Sequence, residues 1–139
     1  MQSRSSVLIA LPPGEIFAFI ADPANDRHWR SHLVSSRGQV AVPGDRVSQT
    51  YSHEGRSKTV EISVAEIDPP HRLTFLLTEP ARARLSFALR PDDGGTRVSA
   101  SFSANLSGPL AIFESRAQAE LEKLLRADLH RLKTALEDR

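Results

Sequence analysis

The chain has 139 residues, room for one hydrophobic core that buries roughly two thirds of the surface the unfolded chain exposes. Lys and Arg total 18 against 17 Asp and Glu, a net charge of +1 with no basic stripe, which argues against a nucleic-acid partner. The absence of cysteine excludes a disulfide framework, thiolate metal sites and a cysteine nucleophile.

Ser6 to Leu11 reads as a first strand, whose apolar run Val7–Leu11 is far too short for a signal-peptide core or a membrane span. A cytoplasmic location is the expectation. Pro12-Pro13 stops the strand, and Pro13 suits the first turn of a helix, which needs no intrahelical N–H there. The helix to Ile20 carries Ile16, Phe17, Phe19 and Ile20, so it has little face left for water. Asp22-Pro23 is a capping residue followed by a helix-opening proline, predicting a second short helix to about Arg30 with Asp26 and Arg30 as a weak pair four apart.

From Val34 the apolar period becomes two, interrupted by turn chemistry at Val42-Pro43-Gly44-Asp45, Glu54-Gly55, Asp68-Pro69-Pro70, Glu79-Pro80 and Pro91 to Gly95. Strands separated by such breaks pair antiparallel. Leu73, Phe75 and Leu77 share a face, as do Leu85, Phe87 and Leu89, then Val98, Ala100, Phe102 and Ala104. With Glu54-Gly55 as the tip, His53 pairs with Arg56, Tyr51 with Lys58, Gln49 with Val60 and Val47 with Ile62, all on the parity of the buried Val60, Ile62 and Val64.

That parity aims Gln49, Tyr51, His53, Arg56 and Lys58 inward, grading to polar toward the tip, as an apolar chamber with a polar mouth requires. The competing reading is a hairpin that overshoots the core and ends in water. Two cations beside Tyr51 and His53 favour an anionic phenolate or a bound enolate or carboxylate.

The last element predicted is a long helix from Pro109 to about Glu137, with Leu110, Phe113, Ala117, Leu121, Leu124, Leu125, Leu132 and Ala135 on one stripe. Asp128 falls within that stripe, which marks either a pocket residue or, the reading preferred, a helix that has already passed the sheet edge. His28 and His32 stand four apart, but Trp29 occupies the place of a zincin glutamate and no third ligand is near, so no metal is expected. Trp29 is expected to pack a helix end and to border the cavity.

The order of elements, with Leu11-Pro12-Pro13-Gly14-Glu15-Ile16-Phe17, Asp22-Pro23 leading to Trp29, Glu66 to Leu73 and Gly94-Gly95-Thr96-Arg97-Val98, resembles the START-like (SRPBCC) superfamily and its polyketide cyclase/dehydrase branch. The resemblance spans nearly the whole chain, which reads as one START-like ligand-binding domain over 1–139. It implies an α+β helix-grip fold: a curved antiparallel sheet of about seven strands around a long C-terminal helix, with two short helices after the first strand and a deep hydrophobic cavity. It brings no shared catalytic motif.

The first functional expectation is binding of a small hydrophobic molecule (lipid, polyketide or aromatic compound) against Trp29, Phe75, Phe87, Phe102, Leu121 and Leu125, oriented by Gln49, Tyr51 and His53, with Arg56 and Lys58 also among the ligand-binding residues and no cofactor. The second is a cyclase or dehydratase in which His53 or Tyr51 moves protons and Arg56 or Lys58 steadies the developing enolate. The third is a protein-interaction module with a vestigial cavity. A homodimer formed across a sheet edge stays open.

Overall fold

A computed structural model describes residues 1–79, 81–105 and 114–139, with the side chains of the last helix described from residue 117. Seven strands, β1 (Gln2–Ile9), β2 (Leu33–Gly38), β3 (Arg46–His53), β4 (Arg56–Asp68), β5 (Arg72–Leu77), β6 (Ala83–Asp92) and β7 (Gly95–Ala104), form one antiparallel sheet in the order β1-β7-β6-β5-β4-β3-β2. Helix α1 (Pro13–Ile20) and a 3₁₀ segment (Pro23–His28) separate β1 from β2, and helix α2 (Glu114–Glu137) closes the chain. This is the helix-grip α+β architecture.

Local chemistry accounts for most boundaries. Pro13 opens α1, and Asp22 accepts a hydrogen bond from the Ala24 amide at 3.0 Å to cap the 3₁₀ segment. That short helix is of the 3₁₀ type and ends at His28, two residues before the expected end; the Arg30 amide still donates to the Asp26 carbonyl at 2.8 Å. Asp45 N bonds Val42 O at 3.2 Å with Gly44 at φ 94°, the positive value a type II turn needs at that position. Gly95 lies where a Cβ would collide with the Ile9 carbonyl oxygen, so β7 can approach β1 there only as glycine. β1 begins four residues earlier than expected, at Gln2, because it pairs with β7 along its length from Gln2↔Ser103 to Ile9↔Thr96.

The predicted hairpin register holds pair for pair: Val47↔Ile62, Gln49↔Val60, Tyr51↔Lys58 and His53↔Arg56. Glu54 (φ 52°) and Gly55 (φ 77°) both take positive φ, the type I′ geometry that matches strand twist. β6 runs on to Asp92, leaving only Asp93-Gly94 as the turn into β7.

The core lies on the concave face. Leu73, Phe75, Phe87, Leu89, Val98 and Ala100 are buried there, as the alternation predicts, together with α1 and the inward face of α2. The phase of α2 differs from the predicted stripe. Leu129 and Leu136 are buried while Leu124 is exposed, so the buried line runs through Leu125, Asp128, Leu129, Leu132 and Leu136. α2 packs chiefly against β1, tied by Lys133 Nζ donating to Leu8 O at 2.6 Å and by Ala10 N donating to Glu137 at 2.9 Å. Pro80, and with it the Glu79-Pro80 break, and the predicted helical positions Pro109, Leu110 and Phe113 lie outside the described residues. No helix among the described residues is long and apolar enough to cross a membrane.

Candidate functional site

Alternation along β3 to β7 places Gln49, Tyr51, Val60, Ile62, Phe75, Leu77, Ala83, Leu85 and Phe102 around a cavity of about 230 Å³, which Arg30 and Leu76 complete. Most of this lining is hydrocarbon. The exceptions, Arg30, Gln49 and Tyr51, stand together.

Each of the three is held. The Tyr51 hydroxyl donates to Gln49 Oε1 at 2.7 Å. Gln49 is buried and its Nε2 donates to Asp26 Oδ2 at 3.4 Å, while Ser36 Oγ donates to the same oxygen at 2.9 Å. Arg30 leaves the loop after the 3₁₀ segment and donates from Nε to Asp128 Oδ2 on α2 at 3.2 Å. Asp128 also accepts from the Ser31 amide at 2.8 Å and from the Ser31 hydroxyl. The expectation that Asp128 stands beyond the sheet edge is therefore corrected: a buried carboxylate survives in the apolar line because a guanidinium and two further donors satisfy it.

Burial sets the protonation of this cluster. It pushes the Asp26 carboxyl up to about 6, outweighing the Ser36 hydrogen bond, the Arg30 charge and the Gln49 hydrogen bond, with Asp22 adding to the rise. Burial also raises the Tyr51 phenol, against the attraction of Arg30 and with help from Asp26 and Asp128. Tyr51 is thus a neutral hydrogen-bond donor rather than the phenolate expected from nearby cations. For Arg30, burial works against the charge, but Tyr51, Asp128 and Asp26 together hold its pKa above the ordinary value.

The other predicted residues are placed as follows. Phe75 and Phe102 are on the cavity wall. Phe87 and Trp29 are buried and meet edge to face at 5.5 Å, with Arg30 over the Trp29 ring at 5.4 Å; Trp29 Nε1 has no hydrogen-bond partner among the described residues. Leu125 is buried and Leu121 half-buried on α2, neither among the described residues lining the cavity. His53, Arg56 and Lys58 are exposed at the hairpin end, where the strands run past the core. The His53 and His32 rings meet tilted at 56° with centroids 4.1 Å apart, and His53 stands 3.5 Å from Glu54. His28 is exposed at the end of the 3₁₀ segment, and among the described residues no three His, Asp or Glu side chains converge as metal ligands.

Sequence reading missed Arg30 and Asp26 as parts of the polar end. Asp128 was the available signal, since an acid within an apolar stripe calls for a buried cation, and Arg30 is the one it found.

The family described as polyketide cyclase/dehydrase and lipid transport matches residues 2–137. The chain belongs to that family. Solved structures of similar fold include TTHA0849 from Thermus thermophilus, with TM-score 0.79, 19% identity, 96% of this chain and 95% of that one covered. Protein NE0264 from Nitrosomonas europaea gives TM-score 0.83 at 16% identity, over 99% and 95%. The di-domain ARO/CYC protein BexL of the BE-7585A biosynthetic pathway gives 0.80 at 18% identity, over 96% of this chain and 49% of BexL. At such identities the family's fold is what these structures share with this chain. Among curated proteins none matches.

Proposed function

We propose that residues 2–137 act as one binding domain for a small, largely apolar molecule with one oxygen-bearing end. The observation that carries this reading is the cavity itself: about 230 Å³, walled by Val60, Ile62, Phe75, Leu85 and Phe102, with Arg30, Gln49 and Tyr51 gathered at one end. A cavity of about 150 Å³ already accepts benzene, so this one suits a one- or two-ring compound or a short alkyl chain. Apolar burial contributes about 25 cal/mol per Å² before ordering costs. The polar end fixes orientation, with Arg30 offering N–H donors to a ligand oxygen.

Native mass spectrometry of the protein purified from its own host tests this. A reproducible added mass, lost in Ala83→Phe, is the expected result, because Ala83 lines the cavity. Identical spectra for the folded variant and the wild type would overturn it.

A cyclase or dehydratase is the second reading, supported by a protonated phenol beside a charged guanidinium. As a water removes the substrate's α-proton, Arg30 would steady the enolate oxygen and the Tyr51 hydroxyl would hydrogen-bond it. His53, exposed at the hairpin tip, takes no part. In that case Tyr51→Phe abolishes turnover of a β-keto ester while its binding persists; equal loss of both counts against it.

A further inference from the structure

We propose that Asp26 is a positioning residue which, through Gln49, decides whether the Tyr51 hydroxyl offers the cavity an acceptor or a donor. Its protonation state then selects the hydrogen-bonding class of the ligand. The inference rests on the cavity being a ligand site.

Ionised Asp26 can only accept, so the Gln49 amide must turn its NH₂ to Oδ2 and its carbonyl to Tyr51. The Tyr51 hydroxyl then spends its one proton on Gln49 Oε1, at 2.7 Å. What remains toward the cavity is phenol lone pairs, which accept from a ligand O–H or N–H. When Oδ2 takes a proton from solvent it becomes a donor. The amide reverses, its carbonyl accepting from Asp26 and its NH₂ donating to the phenol oxygen. The phenol O–H is released and points to a ligand carbonyl.

Gln49 is buried, and among the described residues Asp26 and Tyr51 are the side chains hydrogen-bonded to its amide. Charged groups acting on Asp26 are Asp22 of its own segment and Arg30 of the next loop, which Asp128 of α2 pairs; Ser36 of β2 adds a neutral donor. Burial brings the Asp26 transition to about 6, where a modest change of pH switches it.

The test uses two naphthalene probes of similar size, 2-naphthol, which can donate, and 2-acetylnaphthalene, which only accepts, titrated by calorimetry between about pH 5 and about pH 8. The ketone's affinity relative to the naphthol is expected to rise about tenfold toward low pH, the worth of one hydrogen bond gained and one lost. Asp26→Asn flattens this dependence. Ser36→Ala moves its midpoint upward, because the carboxylate loses a donor that stabilises its charge; a purely structural role for Asp26 would not shift a midpoint. Both probes binding with a flat ratio overturns the relay and leaves the cavity reading standing, as does a pH dependence that persists in Asp26→Asn. Should neither probe bind, the cavity reading falls, and the Gln49 side-chain amide NMR signals of the ligand-free protein judge the relay alone: they must move with the Asp26 midpoint, or the relay is wrong.

Discussion

Arg30 and Asp128, 98 positions apart, meet at 3.2 Å beneath α2 with their side chains only 15% and 9% exposed. This pair ties the loop that carries a cavity-lining guanidinium to the terminal helix. Replacing Asp128 by Ala strands a buried cation, so we expect a loss of about 3–5 kcal/mol in chemical denaturation. The double variant Arg30→Met with Asp128→Leu should recover most of it. A single Asp128→Ala variant as stable as wild type would show that the pair is dispensable.

Stability is expected to fall as pH rises from 3.8 to about 6, the range over which burial displaces Asp26. In that range the folded state holds the proton that the unfolded state has released, so folding binds protons and alkali opposes it. The Asp26 contribution amounts to no more than about 3 kcal/mol. Wild type minus Asp26→Asn, followed by thermal melts across that range, isolates it; a parallel pair of curves refutes the assignment.

Tyr51→Phe leaves Gln49 Oε1 without its donor. We expect a destabilisation of about 1 kcal/mol and little change in the affinity of a purely apolar probe such as naphthalene. A large loss of naphthalene binding would mean that the phenol shapes the wall rather than orienting a ligand.

His53, Arg56 and Lys58 stand in solvent at the hairpin tip. Substituting all three by Ala should change stability by less than about 0.5 kcal/mol per site and leave probe affinity unaltered. Weakened binding in that triple variant would return the polar mouth to the tip.

Filling the cavity by Ala83→Phe should abolish naphthalene binding, at an overpacking cost of about 1–3 kcal/mol. Retained affinity in a folded variant would place the ligand elsewhere.

Strand parity and turn chemistry were legible because both are local. A two-residue Glu54-Gly55 turn sets the β3–β4 register, and register sets which side chains share a face. The inward positions of Gln49 and Tyr51 follow from that alone. How far the inward face stays covered does not, since it depends on where other elements lie, and α2 packs chiefly on β1. Tyr51 lines the cavity beside Arg30 of the loop before β2, and His53, two residues on, is wet. The stripe on α2 illustrates the same division: its existence follows from helical period, but the choice of Leu129 and Leu136 over Leu124 was made by the surface it meets.

The amino-acid sequence by itself determined a curved antiparallel sheet, its apolar face, the hairpin register and the family. Only the tertiary structure decided which polar groups end inside, because Asp26, Gln49, Tyr51, Arg30 and Asp128 come from separate segments and stabilise one another only when folding brings them within hydrogen-bond reach. A buried charge is tolerated where its partner arrives, and no local pattern encodes that arrival.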